Sequence, residues 1–288
     1  MTIDIYKGDC REVITGLQEK SVHCCVTSPP YFGLRDYGND NQIGDEQTPD
    51  EYIEALVSVF REVRRVLRDD GTVWLNLGDS YINKNLAGIP WRVAFALQAD
   101  GWCLRQDIIW SKPNVMPEAV KDRCTRSHEY IFLLSKSPKY YYDFEAVKED
   151  AVYTDSRAGK GKLEYEGKKS QGEDNGEKNS NKAFAVVTEK RNRRSVWTVS
   201  PKAFHDAHFA VYPPELIEPC ILAGCPEGGT VLDPFGGSGT TGVVADRLKR
   251  NAILVELNHN YIEIAKNRIE KDAGLFADVS VIQKEAQQ

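Results

Sequence analysis

No stretch of the 288-residue sequence approaches the roughly 20 consecutive apolar residues that span a bilayer, so no membrane crossing is expected. Met1 to Lys7 lacks the basic start and apolar run of a secretory leader, which points to the cytoplasm. The seven cysteines (Cys10, Cys24, Cys25, Cys103, Cys124, Cys220 and Cys225) contain no C-x-x-C pair. An odd, scattered set argues against a disulfide framework and a structural zinc site, and reads as reduced and mostly buried. His205-x-x-His208 lacks a third ligand at sensible spacing, so no metal is expected. The Gly-Lys-Ser/Thr of a phosphate loop is absent, which excludes that class of nucleotidase. Positive charge is also short: the net charge is −6, at first sight a poor match for a polyanionic partner.

The distribution of charge corrects that impression. Ala151 to Ser195 holds 11 basic and 7 acidic residues, a local +4 in an otherwise acidic chain. Elsewhere, short apolar runs alternate with amphipathic segments. Ile3–Tyr6 and Val22–Thr27 read as strands, the second stopped by Ser28-Pro29-Pro30. Thr48-Pro49-Asp50-Glu51 is a helix start with a capping box, and Ile53, Leu56, Val57, Phe60, Val63 and Leu67 follow at helical spacing. Thr72–Leu77, a helix opened by Pro90 and ended at Gly101, Leu104–Trp110 and Tyr130–Leu134 continue the alternation. Such a chain builds a largely parallel sheet with helices on both faces. Tyr153 to Asn181, rich in Gly, Lys, Glu, Ser and Asn, buries too little apolar surface to offset its ordering entropy and is expected to be mobile loop. Order should resume at Ala183–Val187 and after Ser195, leading to a helix through Leu222 that Pro219 should kink.

Thr230–Asp233 reads as a strand feeding Pro234-Phe235-Gly236-Gly237-Ser238-Gly239-Thr240-Thr241 and a helix. Glycines there let backbone N–H groups approach a ligand at a helix N-terminus. The next strand, Ala252–Val255, ends in Glu256, whose carboxylate would face ribose hydroxyls. A nicotinamide dinucleotide and S-adenosylmethionine both satisfy this turn. Position separates them: a dinucleotide fold begins with the turn, whereas here few strands can follow it, so the missing strands must come from the N-terminal half. The chain therefore reads as circularly permuted.

Thr27-Ser28-Pro29-Pro30-Tyr31 then ends a strand at the junction of the two halves. An amino nitrogen conjugated with an aromatic base is a poor nucleophile. Acceptors around its two N–H bonds, here the Ser28 hydroxyl and the Pro29 carbonyl, favour a pyramidal nitrogen whose lone pair points at a methyl group. Pro29 and Pro30 fix the backbone that aims them. Tyr31 offers a face for stacking on a flipped-out base.

With Ile108-Ile109-Trp110-Ser111-Lys112-Pro113, Arg126 to Lys136 including His128-Glu129-Tyr130, and Tyr212-Pro213-Pro214-Glu215-Leu216, these motifs resemble the permuted, β-class DNA amino-methyltransferases over nearly the whole chain. The resemblance implies a Rossmann-like α/β sheet of seven strands, with Tyr130–Leu134 the one antiparallel strand, and S-adenosyl-L-methionine as cofactor. It implies that Asp9, followed by Cys10, contacts the adenine and that Glu256 holds the ribose. Phe235, Gly237, Ser238, Gly239 and Thr240 would surround the methionine part with Asp233 beneath, and His208–Pro213 would close the pocket. Members with Asp at the first box position mostly methylate adenine N6, whereas Thr-Ser-Pro-Pro-Tyr resembles the cytosine-N4 members, so Ser28 favours cytosine N4 over the adenine-N6 alternative. Cytosine-C5 chemistry fits poorly, since Cys220 of the lone Pro-Cys pair sits in a helix away from the box.

The expected organisation is a catalytic half over 1–142, a basic target-recognition insertion over 143–195 and a cofactor half over 196–288. Lys190, Arg191, Arg193 and Arg194 are candidates to neutralise phosphates of double-stranded DNA or reach guanine edges, with Arg35, Arg123 and Arg126 nearer the pocket. The expected partners are duplex DNA and, in a restriction-modification setting, a cognate restriction endonuclease. Members of the class often pair, but no self-complementary face is visible in the sequence. A nicotinamide-dependent oxidoreductase, motivated by Gly237-x-Gly239-x-x-Gly242, and a non-catalytic DNA-binding module are the readings of other classes.

Overall fold

Thr48 starts the first long helix as its sequence demands. Its Oγ1 accepts from the Glu51 N–H and the Glu51 carboxylate accepts from the Thr48 N–H, a closed capping box followed by Pro49. The computed structural model describes residues 1–34, 42–151, 190–202 and 212–283, and the backbone of 163–165 and 183–185. The elements are β1 (Thr2–Lys7), α1 (Cys10–Val13), β2 (Val22–Thr27), α2 (Pro49–Val66), β3 (Leu67–Leu77), β4 (Tyr81–Ile82), β5 (Asn85–Leu86), α3 (Ile89–Ala99), β6 (Cys103–Ser111) and β7 (His128–Ser135). There follow β8 (Glu149–Asp150), β9 (Leu163–Tyr165), β10 (Ala183–Ala185), β11 (Lys190–Arg191), β12 (Val196–Thr198), α4 (Pro214–Gly224), β13 (Thr230–Asp233), α5 (Thr240–Arg247), β14 (Asn251–Glu256), α6 (His259–Ala273) and β15 (Asp278–Gln283). None of the helices described is long and apolar enough to cross a membrane.

The main sheet runs β12-β6-β7-β3-β2-β13-β14-β1-β15. Its pairings are parallel except those of β7, which is antiparallel to both β3 and β6. The seven strands read from the sequence are the contiguous run from β6 to β1, and Tyr130–Leu134 lies within the antiparallel β7. One further strand on each edge, β12 and β15, makes nine. β12 has three residues and β15 is largely exposed, so neither reads as the buried apolar run of a central strand. The permutation is visible in register, since Ile3 of the first strand lies opposite Ala252 of β14. From the β2–β13 pair the chain runs outward in opposite directions, β2 to β3 and β13 to β14, which makes that pair the switch point of the sheet.

Alternation along the strands feeds two helical layers. Cys25, Val73 and Leu75 join the core with Tyr52, Leu56, Phe60 and Val63 of α2 and Val93 and Leu97 of α3. Their neighbours Cys24 and Trp74 face Gly224 of α4, which packs on α5, which packs on α6. Each fully buried Leu or Phe side chain stabilises the fold by about 1.5–3 kcal/mol, so α2 holds by its buried stripe more than by propensity. α4 continues through Pro219, and Cys220 is buried within it.

Val147–Arg193 is a second compact unit, distinct from Met1–Ala146 with Arg194–Gln288. Within it β8 pairs antiparallel with β11, Lys190 opposite Asp150 and Arg191 opposite Glu149. β9 pairs antiparallel with β10, Leu163 opposite Ala185. Leu163–Tyr165 therefore corrects the expectation of loop across 153–181: the pairing is with a segment 20 residues on, and composition does not register such a partner.

Candidate active site

Because β2, β13, β14 and β1 are parallel neighbours, their C-terminal ends lie along one edge of the sheet, and the segments that leave them line one cavity of about 270 Å³. Asp9, Cys10, Phe235, Gly237, Ser238, Thr240 and Glu256 contribute from the cofactor half of the sequence reading. Ser28, Pro29, Pro30 and Tyr31 contribute from the other, with Asn76, Trp110, Lys112 and Glu129.

Asp233, at the end of β13, ties the two sides together from beneath. It is 1% exposed, and accepts from Thr27 Oγ1 at 2.6 Å, Thr241 Oγ1 at 2.6 Å, Tyr212 Oη at 2.9 Å and the Phe235 N–H at 3.1 Å. Burial raises its carboxyl above the ordinary range, and the four donors offset only part of that. Thr27 precedes the Ser28 box, so this carboxylate fixes box and glycine loop against each other.

Glu256 is held as a rigid acceptor. One oxygen takes the Gly237 N–H and the other the Asn258 N–H, each at 2.8 Å, and burial raises its pKa. The loop bends through Gly239, at φ +77°, where a Cβ would lie 2.8 Å from Ala265 Cβ. Arg268 of α6 reaches the loop from below, donating to the Ser238 hydroxyl at 3.0 Å and to Thr240 Oγ1 at 2.8 Å. Those two hydroxyls, expected at the methionine part of the cofactor, are thus braced by a guanidinium that sequence spacing did not reveal. Asp9 lines the cavity while capping α1 through the Arg11 N–H at 2.8 Å and gripping the Arg11 guanidinium. Burial pulls its carboxyl upward, but Arg11 outweighs it and the pKa is lowered. Burial, with the adjacent Asp9 charge, pushes the Cys10 thiol up to about 12, so it acts as neutral packing surface.

Around the box, Ser28 Oγ donates to Tyr31 Oη at 3.3 Å, and Tyr31 Oη donates to Glu129 Oε2 at 2.7 Å. Asn76 Nδ2 also donates to Glu129 Oε2, at 2.9 Å, and Lys112 Nζ pairs with Glu129 Oε1 while lying 4.1 Å from the Trp110 ring centre. Tyr52 Oη of α2 donates to the Pro30 carbonyl at 2.8 Å, which pins the proline pair to the core. Burial first, then the Glu129 charge, raises the Tyr31 phenol well above its ordinary value, so it stays a donor. Its ring passes close under Gly78, where a Cβ would sit 2.6 Å from Tyr31 Cε2. Gly78→Ala should therefore displace the ring and lower kcat about 10- to 100-fold with cofactor affinity intact, measured by single-turnover methylation beside calorimetry.

Arg123 pairs with Glu118 and lies 4.2 Å from the Tyr81 ring centre, and Arg126 lies 3.5 Å from Asp79. In the second unit Arg191 donates to Glu149 Oε1 at 2.9 Å, so this cation of the basic run is already matched. Lys190 is exposed and Arg193 half-buried there, while Arg194 is exposed in the main unit. Arg35, His205, His208, most of the His208–Pro213 segment, and Val186 and Val187 lie outside the described residues.

The sequence matches the family model described as DNA methylase over residues 22–267. It is 46% identical to the type II methyltransferase M.SmaI of Serratia marcescens over 92% of this chain and 90% of that protein. It is also 46% identical to the type II methyltransferase M.Cfr9I of Citrobacter freundii, over 92% and 87%. Among solved structures, TTHA0409 of Thermus thermophilus superposes with a TM-score of 0.66 at 25% identity, covering 98% of this chain and all of that one, and has also been solved with S-adenosyl-L-methionine. The PvuII DNA methyltransferase, described as cytosine-N4-specific, shares the fold at a TM-score of 0.69 and 19% identity, with coverage of 98% and 95%. Fold, family model and full-length relatives agree: the chain belongs to the DNA methylase family of amino-methyltransferases, whose methyl donor is S-adenosyl-L-methionine.

Proposed function

We propose that this DNA methyltransferase acts on the exocyclic N4 of cytosine, at a specific sequence in duplex DNA, as a type II enzyme. The observation that carries the reading is Ser28 at the end of β2: a neutral hydroxyl whose proton is directed to Tyr31, leaving its lone pairs to accept from a base amino group. The Pro30 carbonyl is engaged by Tyr52, so the second acceptor is the Pro29 carbonyl. Together they hold the two N–H bonds of a flipped cytosine and turn the nitrogen lone pair toward the methyl group.

S-adenosyl-L-methionine supplies an electrophilic methyl on a sulfonium sulfur. The residues present fit it: Glu256 offers a fixed carboxylate for the ribose diol, and Phe235 and Val255 offer apolar surface. Glu256→Ala is expected to weaken binding of the cofactor about 10- to 100-fold, the worth of one or two charge-assisted hydrogen bonds, read by calorimetry. In this reading Val147–Arg193 reads the target sequence, with Lys190, Arg193 and Arg194 toward the phosphates, and the methylated site is one that a cognate restriction endonuclease would cut. Incubation with labelled cofactor and mixed-sequence duplex, followed by nucleoside analysis, should yield N4-methylcytosine; N6-methyladenine would move the target to adenine, and an unmodified duplex would remove the reading.

A further inference from the structure

A base amino group that accepts a methyl becomes cationic and must lose a proton within the site. The hydrogen bonds at the box run in one direction away from it. Ser28 Oγ donates to Tyr31 Oη, and Tyr31 Oη donates to Glu129 Oε2. Glu129 is the terminus, since its carboxylate accepts from Tyr31, Asn76 and Lys112. These three acceptor contacts come from β2's exit, β3 and β6, while Glu129 itself sits on β7. The register that places Trp110 opposite Glu129 also brings Lys112 within reach. The arrangement would be superfluous for stacking alone, which asks only for the ring of Tyr31.

We propose that Ser28, Tyr31 and Glu129 form the exit path for the proton released from the methylated amino group, with Glu129 as its acceptor. The nitrogen lone pair forms the new N–C bond as the methyl–sulfur bond breaks with its electron pair left on sulfur. The nitrogen then gives a proton to Ser28 Oγ, the Ser28 proton moves to Tyr31 Oη, and the Tyr31 proton moves to Glu129 Oε2. The base ends neutral and methylated, the sulfur ends as a neutral thioether, and the carboxyl of Glu129 carries the proton until it is lost to solvent. Lys112 and Asn76 hold Glu129 in place as the charge changes. Tyr31 stays protonated because it is buried beside a carboxylate, so the phenol relays a proton without ever becoming phenolate. The Ser28–Tyr31 link, at 3.3 Å, is long for two hydroxyls and shortens when the base engages Ser28.

Glu129 acts through Tyr31 and Ser28 and does not touch the base, so its test needs a readout that packing alone would not move. The proposal rests on Ser28 receiving the amino group but not on the identity of the base. Tyr31→Phe keeps the ring and the Lys112–Glu129 pair and cuts the path; Glu129→Gln keeps the shape and removes the acceptor. Single-turnover methylation should fall about 100-fold or more in each, with KM for DNA and for the cofactor within about 3-fold of wild type. The double variant should be no slower than the worse single, because both interrupt one path. A wild-type single-turnover rate in Tyr31→Phe, a loss confined to KM, or a double variant whose losses multiply would overturn it. The product nucleoside from the same reactions keeps the two readings apart: N6-methyladenine made with these rate losses refutes cytosine and upholds the path, whereas N4-methylcytosine made without them does the reverse.

Discussion

Asp233→Ala is expected to lower the free energy of unfolding by about 3–5 kcal/mol, a large share of the roughly 5–15 kcal/mol that holds a domain together. The Tyr212 and Thr241 hydroxyls already lie within hydrogen-bond reach of each other and re-pair. Thr27 Oγ1 and the Phe235 N–H lose this acceptor in a buried site, and a cavity opens beneath the glycine loop. Urea unfolding, compared at unchanged slope, measures it. Asp233→Asn is the companion. It keeps one acceptor oxygen and sheds the buried charge, so it should lose much less.

The pair also carries a pH signature. Burial raises the native Asp233 carboxyl above its ordinary 3.8. The native state therefore holds the proton more tightly than the unfolded chain, and stability drawn from this group falls as pH rises. Wild type should lose ground against Asp233→Asn through the window that opens near 3.8 and closes at the raised native value, with a constant difference on either side. Movement in the opposite sense would mean that the four donors, rather than burial, dominate the site.

Ser28→Ala is expected to lower kcat about 100- to 1000-fold, the loss typical of removing one aimed hydrogen-bonding group from a reacting centre. Affinity for S-adenosyl-L-methionine should stay within about 2-fold, because in the proposed reading Glu256 and the glycine loop hold the cofactor from the other half of the site. Rapid-quench methylation beside calorimetry separates the two quantities. A parallel loss of cofactor affinity would place Ser28 in the cofactor site instead of at the base.

Much of this was legible in the sequence because it is local. The capping box at Thr48, the apolar stripe of α2 and the strand, loop and acidic strand end from Thr230 to Glu256 are each written in consecutive residues. The seven central strands were legible for the same reason. What escaped is assembled across strands. Asn76, Lys112 and Glu129 meet because β3, β7 and β6 lie side by side, and no spacing along the chain encodes that register. Arg268 braces Ser238 and Thr240 from a helix 30 residues beyond the loop, and Tyr52 reaches Pro30 from a helix whose pattern marks it only as core. Edge strands β12 and β15 escaped because an edge needs less apolar surface than a centre.

The pairing of β1 with β14 sets a timetable for biosynthesis. Ile3 leaves the ribosome well before its neighbour Ala252, from which roughly 250 residues of chain separate it. At roughly 5–20 residues per second, β1 waits on the order of 10–50 s as an unsatisfied strand. The Ser28 box, the Tyr31–Glu129 contact and the helix of Tyr52 are all translated within that interval, before any residue of the glycine loop exists. The nascent protein thus makes the Ser28 side of the cavity first and the glycine-loop side last, and in the proposed reading a ribosome stalled short of Glu256 carries a chain unable to modify DNA.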